Sequence, residues 1–271
     1  MTTITADAPT TVRVNRGHAV GDALTMAWRN LLNLVRNPQL LVFATIQPVI
    51  FVVMFRYVFG GAIQGSLPPG QTYIDFLMPG IFVQTIVFGS LTTGVGLADD
   101  LSKGLIDRFR SLPMARSAVL VGRTLADLLR NFFVVILMCV VGFIVGWTIG
   151  TDLWGLLGCI AIIVAFSYSL SWVFAIVGLS VKDAETAQAV SFPILAPLVF
   201  ASSAFVPVAT MPSWLQGWAK NQPVSVVVDA ARALTIGSDQ TAHYVIKAII
   251  WIVGIIAVCA PIAVSRYRRA V

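Results

Sequence analysis

The chain has 271 residues, of which 58% are apolar and 11% charged, with a formal net charge of +6 and a mean hydropathy of +0.87. A soluble domain carries about 25% charged residues, so this composition excludes a soluble globular protein and indicates an integral membrane protein. The basic excess raises nucleic acid as a partner, a reading that the placement of the charges makes unnecessary.

The start, MTTITADAPTTVRVNRGH, is polar. It lacks the short charged and apolar pattern of a cleavable signal, so the first membrane span is expected to serve as the insertion signal. Residues 1–18 read as a disordered tail. In residues 19–37 the apolar side chains Leu24, Ala27, Trp28, Leu31, Leu32 and Val35 recur at helical spacing, opposite Asp22, Thr25, Arg29, Asn33 and Arg36. That pattern predicts an amphipathic helix in the membrane interface, stopped by Asn37-Pro38; a soluble helix packed on the loops is the alternative.

A span needs about 20 mostly apolar residues. Six are expected, at about 39–59, 75–97, 125–147, 153–179, 187–206 and 245–264, inside one transmembrane domain over 38–265 with a short tail, 266–271. Arg56 lies near the end of the first span, where it either snorkels to the interface or pairs with Asp75 or Asp152. In the third span Asp127 and Arg130 stand at i, i+3, with Arg123 four before Asp127, an arrangement suited to charge neutralisation. Gly142, Gly146 and Gly150 are spaced by four and suit close helix packing, within the chain or between copies. The fifth run carries Pro193, Pro197, Pro207, Pro212 and Pro223. Each proline removes a helical donor, so a break is expected after about Ser203, with short re-entrant pieces beyond it. Trp214 and Trp218, four apart, suit an interfacial helix. Cys139, Cys159 and Cys259 lie in apolar runs without a CxxC and read as small hydrophobes, and two remote histidines, His18 and His243, make no zinc site.

Basic residues set the orientation. They collect before the first span, in the loop after the second, in the loop after the fourth (Lys182) and in the tail, whereas the loops 60–72 and 148–152 hold none. The positive-inside rule then puts both termini and the 99–123 loop in the cytoplasm. Lys220 and Arg232 fall on the external side, and the membrane core is expected to be almost free of ionisable groups.

The stretch DDLSKGLIDRFRSLPMARSAVLVGR, residues 99–123, holds eight of the chain's 30 charged side chains. Asp99 and Asp100 are expected at the start of a short helix, favoured by its positive end. Gly104 allows a bend, Pro113 ends the helix, and Arg116 restarts one toward the third span. Leu101, Leu105, Ile106, Phe109 and Leu112 interleave with Lys103, Asp107, Arg108, Arg110 and Ser111. A solvated connector would need none of that patterning, which favours a docking element for a cytoplasmic partner. No Gly-Lys dipeptide, HExxH or GxSxG occurs, and Glu185 is the single glutamate, so the sequence carries no nucleotide loop and no recognised catalytic motif.

The stretch Leu101–Arg123, with KGLIDRFRSLPMARSAVLVGR, resembles the intracellular signature of type-2 ABC exporter permeases, especially the daunorubicin-resistance type of actinobacteria. Met211–Leu234, MPSWLQGWAKNQPVSVVVDAARAL, resembles the same family, and the likeness extends over roughly residues 20–270. The resemblance implies an all-α integral membrane fold: six transmembrane helices, an interfacial helix, a cytoplasmic coupling helix and re-entrant external helices between spans five and six. It implies a permease in a prokaryotic plasma membrane that works as a dimer, with a second copy or a similar permease. Two separate ATPase subunits would bind ATP and Mg, leaving this chain without cofactor or metal. It assigns ATPase coupling to Asp99, Asp100, Lys103, Gly104, Asp107, Arg108, Arg110, Ser111, Pro113 and Arg116. An external gate would involve Pro193, Pro197, Pro207, Pro212, Trp214 and Pro223. Phe43, Gln47, Phe51, Gln84, Phe88 and Phe200 are candidates to line a path for a hydrophobic or amphipathic drug or lipid. An integral membrane enzyme acting on lipid head groups, and a secondary carrier, are the alternatives.

Overall fold

The structure, a computed structural model, describes residues 38–68, 70–104 and 116–270. The expected tail 1–18 and interfacial helix 19–37 lie outside the described residues. Helix α1, Pro38–Met54, continues through a π-helical turn, Phe55–Phe59, into a short helix α2, Gly60–Gln64. Then follow α3, Tyr73–Ser102; α4, Arg116–Val145; α5, Leu153–Gly178; and α6, Ala184–Phe200. A 3-10 turn, Val208–Thr210, leads to α7, Ser213–Asn221, α8, Pro223–Ile236, and α9, Thr241–Ala270.

Among the described residues five helical stretches are long and apolar enough to cross a membrane: Thr45–Gln64, Tyr73–Ser102, Leu120–Val145, Leu153–Gly178 and Thr241–Tyr267. Helix α6 has 17 residues and so spans about 25 Å, short of the roughly 30 Å hydrocarbon core. Pro193 and Pro197 sit inside the helix, and the break comes at Ala201, two residues before the expected point near Ser203. In lipid, leaving the helix would orphan several backbone groups at once, whereas each proline removes one rung. Helix α9 also runs beyond the expected tail boundary at 266, to Ala270.

Helices α3 and α5 form the centre. Helix α5 packs on α3, α4, α8 and α9, while α3 also meets α1, α4, α6 and α8. Phe82, Phe166, Phe174, Leu77, Met78, Ile81 and Ile163 are completely buried there. Lipid is as apolar as these side chains, so their burial does not itself drive helix association; close packing and hydrogen bonds do. Glycine provides the closeness. A Cβ on Gly94 would lie 2.6 Å from the Phe174 carbonyl oxygen, and one on Gly178 2.3 Å from the Gly94 carbonyl oxygen. Buried hydroxyls bond back along their own helices, as Thr85 does to Ile81 O at 2.7 Å and Ser191 to Ala187 O at 2.7 Å, which pairs them without water.

The expected Gly142/Gly146/Gly150 stripe is not a helix face. Helix α4 ends at Val145, Gly146 has a positive φ of 94°, and Gly150 lies against the end of α8, where a Cβ would meet Ile236 O at 2.7 Å. Their contacts are within the chain.

Gly94→Val is expected to lower the thermal unfolding midpoint of the detergent-purified protein, since overpacking costs about 1–3 kcal/mol. Gly254→Ala, on α9 with no atom within 4 Å of the added Cβ, is expected to leave the midpoint unchanged or raise it.

Candidate functional site

The charged loop emerges from the end of the bundle where α3 stops and α4 begins. Asp99 and Asp100 occupy the last turn of α3, not the first turn of a new helix as expected. Helix α3 outruns its apolar stretch by several residues, and carboxylates at a helix C-terminus face a negative dipole. Two cations offset that. Lys103 reaches Asp99 at 2.7 Å, which raises the lysine pKa through the hydrogen bond and charge of Asp99. Arg123 of α4 pairs with Asp100, so the expected Arg123–Asp127 neighbour is not its partner. Gly104 turns the chain with a φ of 65°. Asp107, Arg108, Arg110, Ser111 and Pro113 lie outside the described residues; Arg116 is the first residue of α4.

Below this end the charges continue into the bundle. Asp127 accepts a hydrogen bond from Thr93 at 2.5 Å and lies 3.7 Å from Arg130, as its i, i+3 spacing allows. Arg130 donates to Gly89 O at 2.5 Å and to the Thr92 hydroxyl. Asn131 donates to Ser167 of α5. A Cβ on Gly96 would fall 1.6 Å from an Arg123 nitrogen, and one on Gly89 2.7 Å from Asn131 Oδ1. The glycines Gly89 and Gly96 and the arginines Arg123 and Arg130 are each seven apart on two antiparallel helices. The two cations therefore rest in matching notches. Nearby, Arg266 of α9 donates to the Ser180 hydroxyl, and Tyr267 is buried with Leu97, Leu120 and Trp172. Asp183 caps α6 through Thr186 N at 2.7 Å, a bond that holds its carboxyl below the usual range.

The opposite end holds the short helices. Pro207 precedes the 3-10 turn, Pro212 precedes α7, and Pro223 is the first residue of α8, where its missing N–H costs nothing. Trp214 and Trp218 of α7 are exposed. Helix α8 is buried, and with it Arg232, a residue expected on the external side. Arg232 donates to Phe76 O at 2.8 Å through Nε and to Ala204 O at 2.9 Å through Nη2. Its Nη1 lies 3.4 Å from Asp229, and its guanidinium carbon stands 3.5 Å from the centre of the Phe76 ring. Ser203 donates to Asp229 at 2.8 Å, and the Tyr73 hydroxyl to Phe205 O at 3.0 Å. The signal for this cluster was present: Asp229 and Arg232 stand at i, i+3 in VSVVVDAARAL, whose continuous apolar run reads as a buried helix.

Arg56 pairs with neither Asp75 nor Asp152. Asp75 accepts from Thr148 N at 2.8 Å and from the Thr148 hydroxyl, and Asp152 caps α5. The guanidinium instead lies beside the C-terminal end of α4, where a Cβ on Gly146 would be 3.5 Å from it, a favourable place for a cation.

Of the candidate path residues, Phe200 stacks on Phe205 at 5.7 Å, as Phe55 does at 4.6 Å, and Phe51 lies tilted against the same ring at 6.0 Å. Phe88 meets Phe192 at 6.3 Å, and Gln47 is exposed on α1. Gln84 does not join them: it is buried in the core. The Phe43 side chain lies outside the described ones. Among the described residues no group of three or more His, Cys, Asp or Glu could hold a metal ion.

The pattern of the family described as ABC-2 type transporter matches residues 22–236. The chain is 34% identical over 259 residues, 95% of its own length and 89% of the relative's, to the daunorubicin resistance ABC transporter permease protein DrrB1 of Streptomyces coeruleorubidus. It is 27% identical over 252 residues, 93% and 90% of the two chains, to the probable doxorubicin resistance ABC transporter permease protein DrrC of Mycobacterium tuberculosis. It is 25% identical over 222 residues, 79% and 74%, to the putative transport permease ycf38 of Cyanophora paradoxa.

Asp100→Asn and Arg123→Gln are each expected to destabilise the detergent-purified protein, and the double variant by less than the sum. The coupling expected from a thermodynamic cycle is about 0.5–3 kcal/mol, because each single change removes one charge of a partly buried pair.

Proposed function

The chain belongs to the ABC-2 type transporter family, and from that premise we propose that it is the membrane-spanning permease of an ATP-driven exporter of a hydrophobic or amphipathic drug or lipid. The observation that carries this is identity sustained over 95% of the chain with a permease named for daunorubicin resistance. The protein is a multi-pass membrane protein and a permease subunit, and its partner is an ATPase subunit carried on another chain.

The finer reading goes further. Two ATPase subunits bind ATP and Mg in the cytoplasm of a prokaryote, and this chain pairs with a second copy or a similar permease. Both termini and residues 99–123 face the cytoplasm. The segment around Lys103, Gly104, Asp107, Arg108, Arg110, Ser111, Pro113 and Arg116 seats on the ATPase, and the interfacial helix 19–37 braces that contact. Closure of the ATPases around ATP pulls this segment and tilts α3 and α4. The Asp100–Arg123 pair and the bonds of Asp127 to Thr93 and of Arg130 to Gly89 O support this reading, since they tie the two helices at the base of the segment. The hairpin then moves as a lever instead of absorbing the stroke by sliding. Substrate moves along α1, α3 and α6 past Gln47, Phe51, Phe88 and Phe200 toward an external gate built from residues 201–223. Trp214 and Trp218 anchor that gate in the interface.

Gly104→Val forces a β-branched side chain into the left-handed region, a strain of about 1–2 kcal/mol, and Arg108→Glu reverses a charge on the proposed docking face. In proteoliposomes holding permease and ATPase, both variants are expected to keep ATP hydrolysis and to lose most ATP-driven export of a daunorubicin-class compound. Wild-type export in both would overturn the coupling assignment.

A further inference from the structure

The turn after α6 and helix α8 form one unit. Ser203 N donates to Ser225 Oγ at 3.0 Å, Ser203 Oγ to Asp229 at 2.8 Å, Gln222 Nε2 to Leu198 O at 2.9 Å and Arg232 Nη2 to Ala204 O at 2.9 Å. Toward α3, among the described residues, two side-chain hydrogen bonds cross: Arg232 Nε to Phe76 O and Tyr73 Oη to Phe205 O. Between them backbone lies against backbone, since a Cβ on Gly80 would fall 2.0 Å from Ala204 O. At that point the hold is backbone packing, beside the two hydrogen bonds and the contact of the Arg232 guanidinium with the Phe76 ring.

The seam is also built to part without stranding a charge. If α3 moves away, Arg232 keeps Asp229 and Ala204 O on its own side. Helix α3 has a weak point at the same level, Pro79, which lacks the donor for one helical rung. The clamp between Gly94 and Gly178 lies 14 residues beyond Gly80, about 21 Å further along the helix. The first turns of α3 can therefore splay while the centre of the bundle stays closed.

We propose that this seam, between the first turns of α3 and the unit of residues 201–206 and α8, is where the exporter's gate opens, and that Tyr73 and Arg232 are the positioning residues that hold it shut. The gate function rests on the export reading above; the latch does not require it.

The test uses the full permease–ATPase complex in lipid nanodiscs. Ala204→Cys, at the seam, is labelled with a water-soluble thiol reagent, and modification at position 204 is followed by mass spectrometry. Ala248→Cys, buried on α9, is the control for general loosening. Without ATP, Tyr73→Phe removes one hydroxyl and keeps the ring. It is expected to speed labelling at 204 about fivefold, the population change that one hydrogen bond supports. Arg232→Lys, which cannot make the same set of bonds, is expected to do at least as much, with position 248 unmoved in both. Unchanged labelling at 204 in both variants, or a parallel rise at 248, overturns the latch. ATP is expected to speed labelling at 204 in the otherwise wild-type complex. If that complex exports a daunorubicin-class compound but ATP does not change labelling at 204, the seam is not the gate, although the export reading stands. If it exports no compound tested, the export reading fails, and the ATP-free comparison of Tyr73→Phe with wild type still decides the latch.

Discussion

A guanidinium buried where a membrane helix breaks is the interaction on which this architecture rests. A chain that leaves helical geometry inside hydrocarbon exposes carbonyls with no water to meet them. Helix α6 does so at Ala201, short of a full crossing. Arg232 answers with several donors on one rigid plane, reaching Ala204 O in the break and Phe76 O on the neighbouring helix. Its own charge is met by Asp229 and by the Phe76 ring. A lysine has a single nitrogen and could not serve such divergent acceptors with comparable geometry. Beside the packing of α8 on α3, α5 and α9, the Arg232 side chain supplies at the break what solvent would supply in a soluble protein.

The other end of the bundle solves a different problem with similar means. There α3 and α4 must stay in register although their apolar surfaces gain little from meeting in lipid. Glycines at 89 and 96 open notches, and Arg130 with Asn131, and Arg123, occupy them. Asp100 and Asp127 meet the charge of the arginines, and Thr93 of α3 donates to Asp127. A slip by one residue would bury a side chain against an unnotched backbone, so the contact specifies one register. The two ends then differ: a charged hairpin beside the proposed docking segment, and a seam bridged by Arg232 and Tyr73 at the far side.

What was legible in the sequence was what depends on composition and local pattern. Long apolar runs dictate membrane helices whatever their neighbours, and the paucity of lysine and arginine in the loops 60–72 and 148–152 dictates an expected orientation. Asp127 and Arg130 meet because i, i+3 on one helix brings them together. Where the reading failed, a partner distant in sequence decided the outcome. Arg123 could satisfy Asp127 or Asp100, and only the antiparallel packing of α4 on α3 selects Asp100. Gly142, Gly146 and Gly150 keep a spacing of four, yet Gly146 ends the helix. Gln84 looked like a path residue by its chemistry, and its burial follows from which face of α3 meets the core.

The sequence by itself therefore determined that this is a helical membrane protein with a charged loop between its second and third spans. It carried the two stretches that resemble ABC exporter permeases. Tertiary structure decided where Arg232 goes. The same Asp-Ala-Ala-Arg segment on a solvent-facing helix would be an ordinary surface ion pair. Packed between α3, α5 and the broken end of α6, with no water to compete, it becomes the joint that holds the short-helix end of the molecule together.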